Sequence, residues 1–127
     1  MKDSKLIDSS VWLEYFYNKT YSEIINRDNE LLLLSVLSLF EIKKKLEKDK
    51  LSSSNIKKCM DFVKKRSLII NLTKEIAEKA VEISLKYSLA SIDSFIYTTA
   101  ILNNAKVITM DNDFRNIENV EILAPTK

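Results

Sequence analysis

Five carboxylates are the residues here whose type and spacing could do chemistry: Asp8, Glu41, Asp93, Asp111 and Asp113. Asp8 directly follows the short apolar stretch 5–7. Asp111 and Asp113 end another, in KVITMDNDF at 106–114. Runs this short and rich in β-branched residues suit buried strands better than helices. In open α/β sheets, ligands bind beyond the carboxyl ends of the strands. Acids gathered at that rim without imidazole suit hard cations such as Mg²⁺ or Mn²⁺.

Composition narrows the choice further. The chain has no His, which excludes Ser-His-Asp and Cys-His catalysis and histidine metal ligands. It has no Gly, so there is no Walker A loop and no dinucleotide fingerprint. The single Cys59 can form neither an internal disulfide nor a Cys-rich zinc site. With no disulfide framework and no signal peptide, a cytoplasmic protein is expected. No apolar run is long enough to span a membrane.

The elements that must position the acids follow from the pattern. At 127 residues and 46% hydrophobic, the chain fits one domain, 1–127, with one core. Strands are expected at 5–7, 31–34, 68–72, 106–109 and 120–123. The spacing of Val11, Trp12, Tyr15 and Phe16 predicts a helix after Asp8-Ser9-Ser10. Thr20 and Glu23 read as a capping box for a short second helix. Ser35 or Ser38 caps a helix running to about 48, and Ser52–Ser54 caps the next, to about 66. Thr73 opens a helix whose apolar face is Ile76, Ala80, Ile83 and Tyr87. Ser91 opens another, to Asn103; a helical turn is expected at 114–117, and Pro125 closes the sheet. Strands alternating with helices imply parallel strands with right-handed crossovers. The expected fold class is α/β, a three-layer α/β/α sandwich on a parallel sheet of four to five strands.

Each acid also has a plain structural reading. Asp8 could cap a helix. Glu41 could complete a capping box with Ser38, or pair with Lys44 or Lys45. Asp93 could face a helix dipole, and Asp111 and Asp113 could shape a turn. Jointly these readings weaken. Two unit charges about 4 Å apart repel by about 4 kcal/mol at an effective dielectric of 20, more than one cap returns. A divalent cation resolves the conflict. Ser9, beside Asp8, and Thr109, two residues before Asp111, could orient carboxylates through hydrogen bonds.

Charge is unevenly spread despite a net of only +2. Residues 43–66 hold ten Lys or Arg against three acids, a local net of +7. This suits an anionic polymer held near a metal, with Lys43, Lys44 and Lys45 closest to Glu41. A pair of solvated lysine-rich helices is the other reading. A phospho-receiver domain fits worse, because it wants paired acids after the first strand, where Asp8 stands alone.

The segments LIDSSVW, LLLLSVLSLFEIKKKL, SLASIDSFIYTTAILNNAKVITMDNDF and VEILAP together resemble the PIN-domain family, and within it the VapC-type ribonuclease toxins. The resemblance spans essentially the whole chain and implies a sheet of order 3-2-1-4-5. It implies a metal-dependent endoribonuclease using Mg²⁺ or Mn²⁺, with Asp8, Glu41, Asp93 and Asp111 as the acidic quartet. Asp8, Asp93 and Asp111 would hold metal, and Asp113 would be a fifth, auxiliary acid. Many relatives carry a glycine and an alanine where this chain has Ser88 and Ile92. The resemblance also implies an RNA substrate, a small antitoxin and a homodimer. The aromatic-rich start (Trp12, Tyr15, Phe16, Tyr17, Tyr21) exceeds what one helix face buries and offers the expected antitoxin groove. A PIN nuclease of RNA maturation would share every residue named. A catalytically silent RNA- or partner-binding module would differ in binding no metal.

Overall fold

A computed structural model describes residues 4–27 and 30–124. Five strands form one sheet: β1 (Ser4–Ile7), β2 (Leu32–Ser35), β3 (Ser67–Ile70), β4 (Ala105–Thr109) and β5 (Val120–Ile122). Their order is β3-β2-β1-β4-β5 and every pairing is parallel. The chain reverses direction across the sheet between β1 and β4, which makes that pair the switch point. The register there pairs Ile7 with Ile108.

Two helices in series fill each long crossover. α1 (Ser9–Asn18) and α2 (Ser22–Ile25) lead to β2. α3 (Val36–Lys48) and α4 (Ser53–Arg66) lead to β3. α5 (Lys74–Tyr87) and α6 (Ser91–Leu102) lead to β4. Alternate strand residues serve opposite faces, as the pleat requires. Ile7, Leu32, Leu34 and Ile108 pack under α1–α4, and Leu6, Leu33 and Val107 under α5 and α6. The result is the expected three-layer sandwich. Among the described residues, no helix is long and apolar enough to cross a membrane.

Several local expectations shift. Ser35 caps α3, accepting from Leu37 N–H, while Ser38 lies fully buried inside the helix. The Ser38–Glu41 capping box therefore does not form. Neither does the Thr20–Glu23 box: the Thr20 hydroxyl donates to Glu14, and Tyr21 precedes α2 with a left-handed backbone. The helical turn falls at Asn112–Phe114, earlier than 114–117, because the Asp111 side chain accepts from Asp113 N–H and tightens the chain at once. Pro125 lies outside the described residues.

The aromatic start is also resolved differently. Trp12 is fully buried, and Tyr15 and Phe16 pack with it around Phe62 from α4. A second helix, invisible to a one-helix count, supplies the missing cover. The expected groove at these aromatics is largely filled from within, and Tyr17 is the one of them left well exposed. Exposed apolar side chains stand elsewhere, notably Phe40 on α3 and Val81 and Leu85 on α5.

A chain without glycine must turn on other residues. Lys19, Lys50 and Ser88 end helices or follow them with positive φ, and Asn104, Asn116 and Asn119 do so in loops. Ser88, at φ 55°, is the C-cap of α5 and stands where many relatives carry glycine. A left-handed non-glycine residue costs about 1–2 kcal/mol, of which glycine's own chain entropy returns part. Ser88→Gly should therefore stabilise the fold by about 0.5–1 kcal/mol, read as a higher midpoint in urea at unchanged slope.

Candidate active site

The carboxyl edge of the sheet gathers all five acids. Asp8 follows β1, Asp111 follows β4, and Asp113 sits in the helical turn after it. Asp93 is in the first turn of α6, and Glu41 is one and a half turns into α3. Asp93, Asp111 and Asp113 bring one carboxylate oxygen each within 4.8 Å of one another. Asp113, expected as an auxiliary acid, belongs to this group, and Asp8 does not.

Asp8 is 7% exposed and occupies the N-cap of α1, but its carboxylate is turned to hydroxyls. Ser10 Oγ and Thr109 Oγ1 each donate to Asp8 Oδ2 at 2.8 Å. Thr109 reaches it because β1 and β4 run in register, with Ile7 beside Ile108 and Asp8 N–H bonded to the Ile108 carbonyl. Ser9, expected beside Asp8, donates instead to Glu41 Oε1 at 3.1 Å. Successive helical residues point about 100° apart, so adjacent serines serve different acids. Ser10 is the residue sequence reasoning missed. Its signal was the Ser-Ser doublet, which a one-dimensional reading treats as interchangeable caps.

The electrostatics are one-sided. Burial pushes the Asp93 carboxyl up to about 6, helped by the charges of Asp111, Asp8, Asp113 and Glu41. Burial likewise raises Glu41; the Ser9 hydroxyl pulls it down, and Asp8 and Asp111 push it further up. Asp8 is raised by burial and drawn back by the Ser10 and Thr109 hydroxyls. Among the described residues, no lysine or arginine forms an ion pair with any of the five. Lys43 pairs with Glu47, Lys45 with Asp49, and Lys44 lies over the Phe40 ring.

These residues fit a divalent cation by their chemistry. The donors are all carboxylate oxygens, three of them already within reach of one centre, and uncompensated negative charge surrounds them. Hydroxyls orient Asp8 and Glu41, and a backbone N–H orients Asp111, as metal ligands require. Asp111 Oδ1 accepts from Asp113 N–H at 2.9 Å, while Asp111 N–H donates to Thr109 Oγ1 at 3.0 Å.

Comparisons with known proteins speak to the fold and the family. Solved structures with a similar fold include a toxin–antitoxin complex from Klebsiella pneumoniae, with a TM-score of 0.78 and 22% identity over 93% of this chain and 96% of that one. DNA-bound VapBC from Salmonella typhimurium gives 0.79 and 18%, over 96% and 98%. The Mycobacterium tuberculosis toxin VapC20, described as cleaving the sarcin-ricin loop, gives 0.73 and 14%, over 94% and 98%. At these identities the likeness speaks to the fold. No curated protein matches the sequence. The family model for the PIN domain matches residues 5–120, a span that takes in all five acids and reaches all five strands. The chain belongs to the PIN-domain family.

Proposed function

We propose that this protein is a metal-dependent endoribonuclease, the toxin of a VapBC-type pair. One observation carries the reading: five carboxylates converge on one rim and, among the described residues, no lysine or arginine pairs with any of them. Asp93, Asp111 and Asp113 would hold Mg²⁺ or Mn²⁺ together with Asp8, and Glu41 would stand beside them. When bound, the ion supplies a water of lowered pKa and Lewis-acid stabilisation of the phosphodiester's developing charge. Asp8, buried and bonded to two hydroxyls, would offer its carboxylate in one fixed orientation. Glu41, held by Ser9 through Oε1, keeps Oε2 to accept a proton from the attacking water. The lysine-rich outer faces of α3 and α4 would draw the RNA backbone toward the rim.

An antitoxin partner fits the surface as well as the fold. Val36, Leu39, Phe40 and Met60 line a groove of about 580 Å³ between α3 and α4, with Lys43, Lys44 and Lys64 around it. Phe40 is 64% exposed, a cost that a partner's apolar segment would remove. A homodimer, implied by the family, would use a different face. Expression alone should arrest growth, and a small protein encoded next to this gene should relieve the arrest and co-purify. Growth unaffected by a well-expressed, RNA-cleaving protein would point to a nuclease of RNA maturation instead.

The chemistry is tested by Asp8→Asn, a near-isosteric change that should abolish RNA cleavage while the protein stays folded by circular dichroism. EDTA should do the same to the native protein, and Mn²⁺ should restore it. Cleavage by the pure variant, or activity surviving EDTA, would sink the assignment.

Asp93 gives a linked test. Its carboxyl is raised in the folded protein, so between about pH 4 and 6 the native state binds more protons than the unfolded chain. The metal-free protein therefore loses stability from this group as pH rises through that window. Asp93→Asn removes the effect. After discounting for solvent screening, it should raise the melting temperature at pH 7.5 by roughly 3–5 °C, about 1 kcal/mol. The gain should shrink toward zero by pH 4. Mn²⁺ affinity of the native protein should fall as pH drops through about 6, where Asp93 takes up its proton. A pH-independent affinity over pH 5–8 would contradict this.

A further inference from the structure

We propose that Ser10 and Thr109 act together as positioning residues for Asp8, clamping its Oδ2 so that only Oδ1 is presented to a divalent cation. The inference rests on the metal-site reading above and extends it to two hydroxyls that touch neither metal nor substrate. Each hydroxyl has its hydrogen directed by what it accepts. Ser10 Oγ accepts from Met110 N–H at 3.0 Å and donates to Asp8 Oδ2 at 2.8 Å. Thr109 Oγ1 accepts from Asp111 N–H at 3.0 Å and donates to the same oxygen, also at 2.8 Å. The two hydroxyl oxygens lie 3.5 Å apart.

Two consecutive amides at the end of β4 thus anchor two donors on one carboxylate oxygen. A carboxylate oxygen offers two in-plane lone pairs, and these two hydroxyls occupy both. Oδ2 is saturated; Oδ1, which takes no side-chain hydrogen bond among the described residues, remains for an ion. Ser10 also behaves unlike a capping serine. It lies at the second position of α1, yet the amide it binds is 100 residues away on another element. A hydroxyl there serves the junction of β1 and β4 and does little for its own helix. Thr109 is fully buried, so water cannot replace its hydroxyl. The clamp makes Asp8 a one-oxygen ligand with a fixed direction, the kind of outer support whose loss weakens metal binding about 10- to 100-fold.

The test is Mn²⁺ affinity by calorimetry, with melting temperature measured alongside on the same preparations. Ser10→Ala and Thr109→Val should each weaken Mn²⁺ binding by about tenfold or more. Ser10→Thr and Thr109→Ser keep the hydroxyl and should bind within about twofold of the native protein, since each preserves both the donor and the acceptor. A folded Ser10→Ala protein with native affinity would overturn the proposal. So would an affinity loss that Ser10→Thr does not reverse, because that pattern describes packing and not a hydroxyl. If Ser10→Ala does not fold, Thr109→Val against Thr109→Ser makes the same comparison from the other strand. Native protein that binds Mn²⁺ with this variant pattern but cleaves no RNA would overturn the nuclease reading and leave the clamp standing.

Discussion

The parallel register of β1 against β4 is the constraint on which the rest of the site depends. With Ile7 beside Ile108, Asp8 and Thr109 leave the sheet at the same level, and Asp8 N–H closes onto the Ile108 carbonyl. A slip of one residue would turn Asp8 to the opposite face and send Leu6 and Ile7 into each other's cores. The two cores enforce the register from either side of the sheet. Burial of strand side chains far from the rim therefore decides which carboxylate faces which hydroxyl at the rim.

The same arrangement explains how like charges are held together. The charges of Asp93, Asp111 and Asp113 oppose their approach; the packing of α6 and the hydrogen-bonded turn after β4 bring them in. α6 is buried along most of its length, with Ile96, Tyr97, Thr98, Thr99 and Ala100 all inside. It cannot retreat from β4 to relieve repulsion at its first turn. Burial first, and the neighbouring charges after it, show in the raised carboxyl of Asp93. Functional sites commonly hold such unfavourable interactions, compensated by the surrounding fold.

Much of this was readable from residue order. The strands, the crossovers and the sandwich follow from apolar runs alternating with capped helical patterns, and the acids that end strands could be placed at the rim from sequence. What could not be read was anything decided by neighbours distant in the chain. Phe62 on α4 covers Trp12 on α1, so the aromatic excess of one helix was satisfied by another. Ser9 and Ser10 look equivalent in sequence, and only the directions of Glu41 and Asp8 tell them apart. Ser38 matched a capping box by spacing, yet Ser35 took the cap because the strand ends there. The absence of glycine argues against glycine-rich phosphate loops. It did not show that Ser88 would adopt the left-handed conformation a glycine supplies cheaply.

Preorganisation follows from the way these hydrogen bonds are wired. Ser10 ties α1 to the end of β4, Ser9 ties α1 to Glu41 on α3, and Thr109 ties β4 back to Asp8. One helical turn thus touches three of the elements that carry acids. Asp111 then caps its own turn through Asp113 N–H, which brings the fifth carboxylate over the fourth. An ion entering this rim would meet Asp8, Glu41 and Asp111 already oriented by neutral donors, so less ordering is left to offset its binding. Cationic side chains in their place would neutralise the acids but fill the position the ion needs. Hydroxyls and amides hold carboxylates without cancelling their charge, and this is why neutral donors, not lysines, support the acids here.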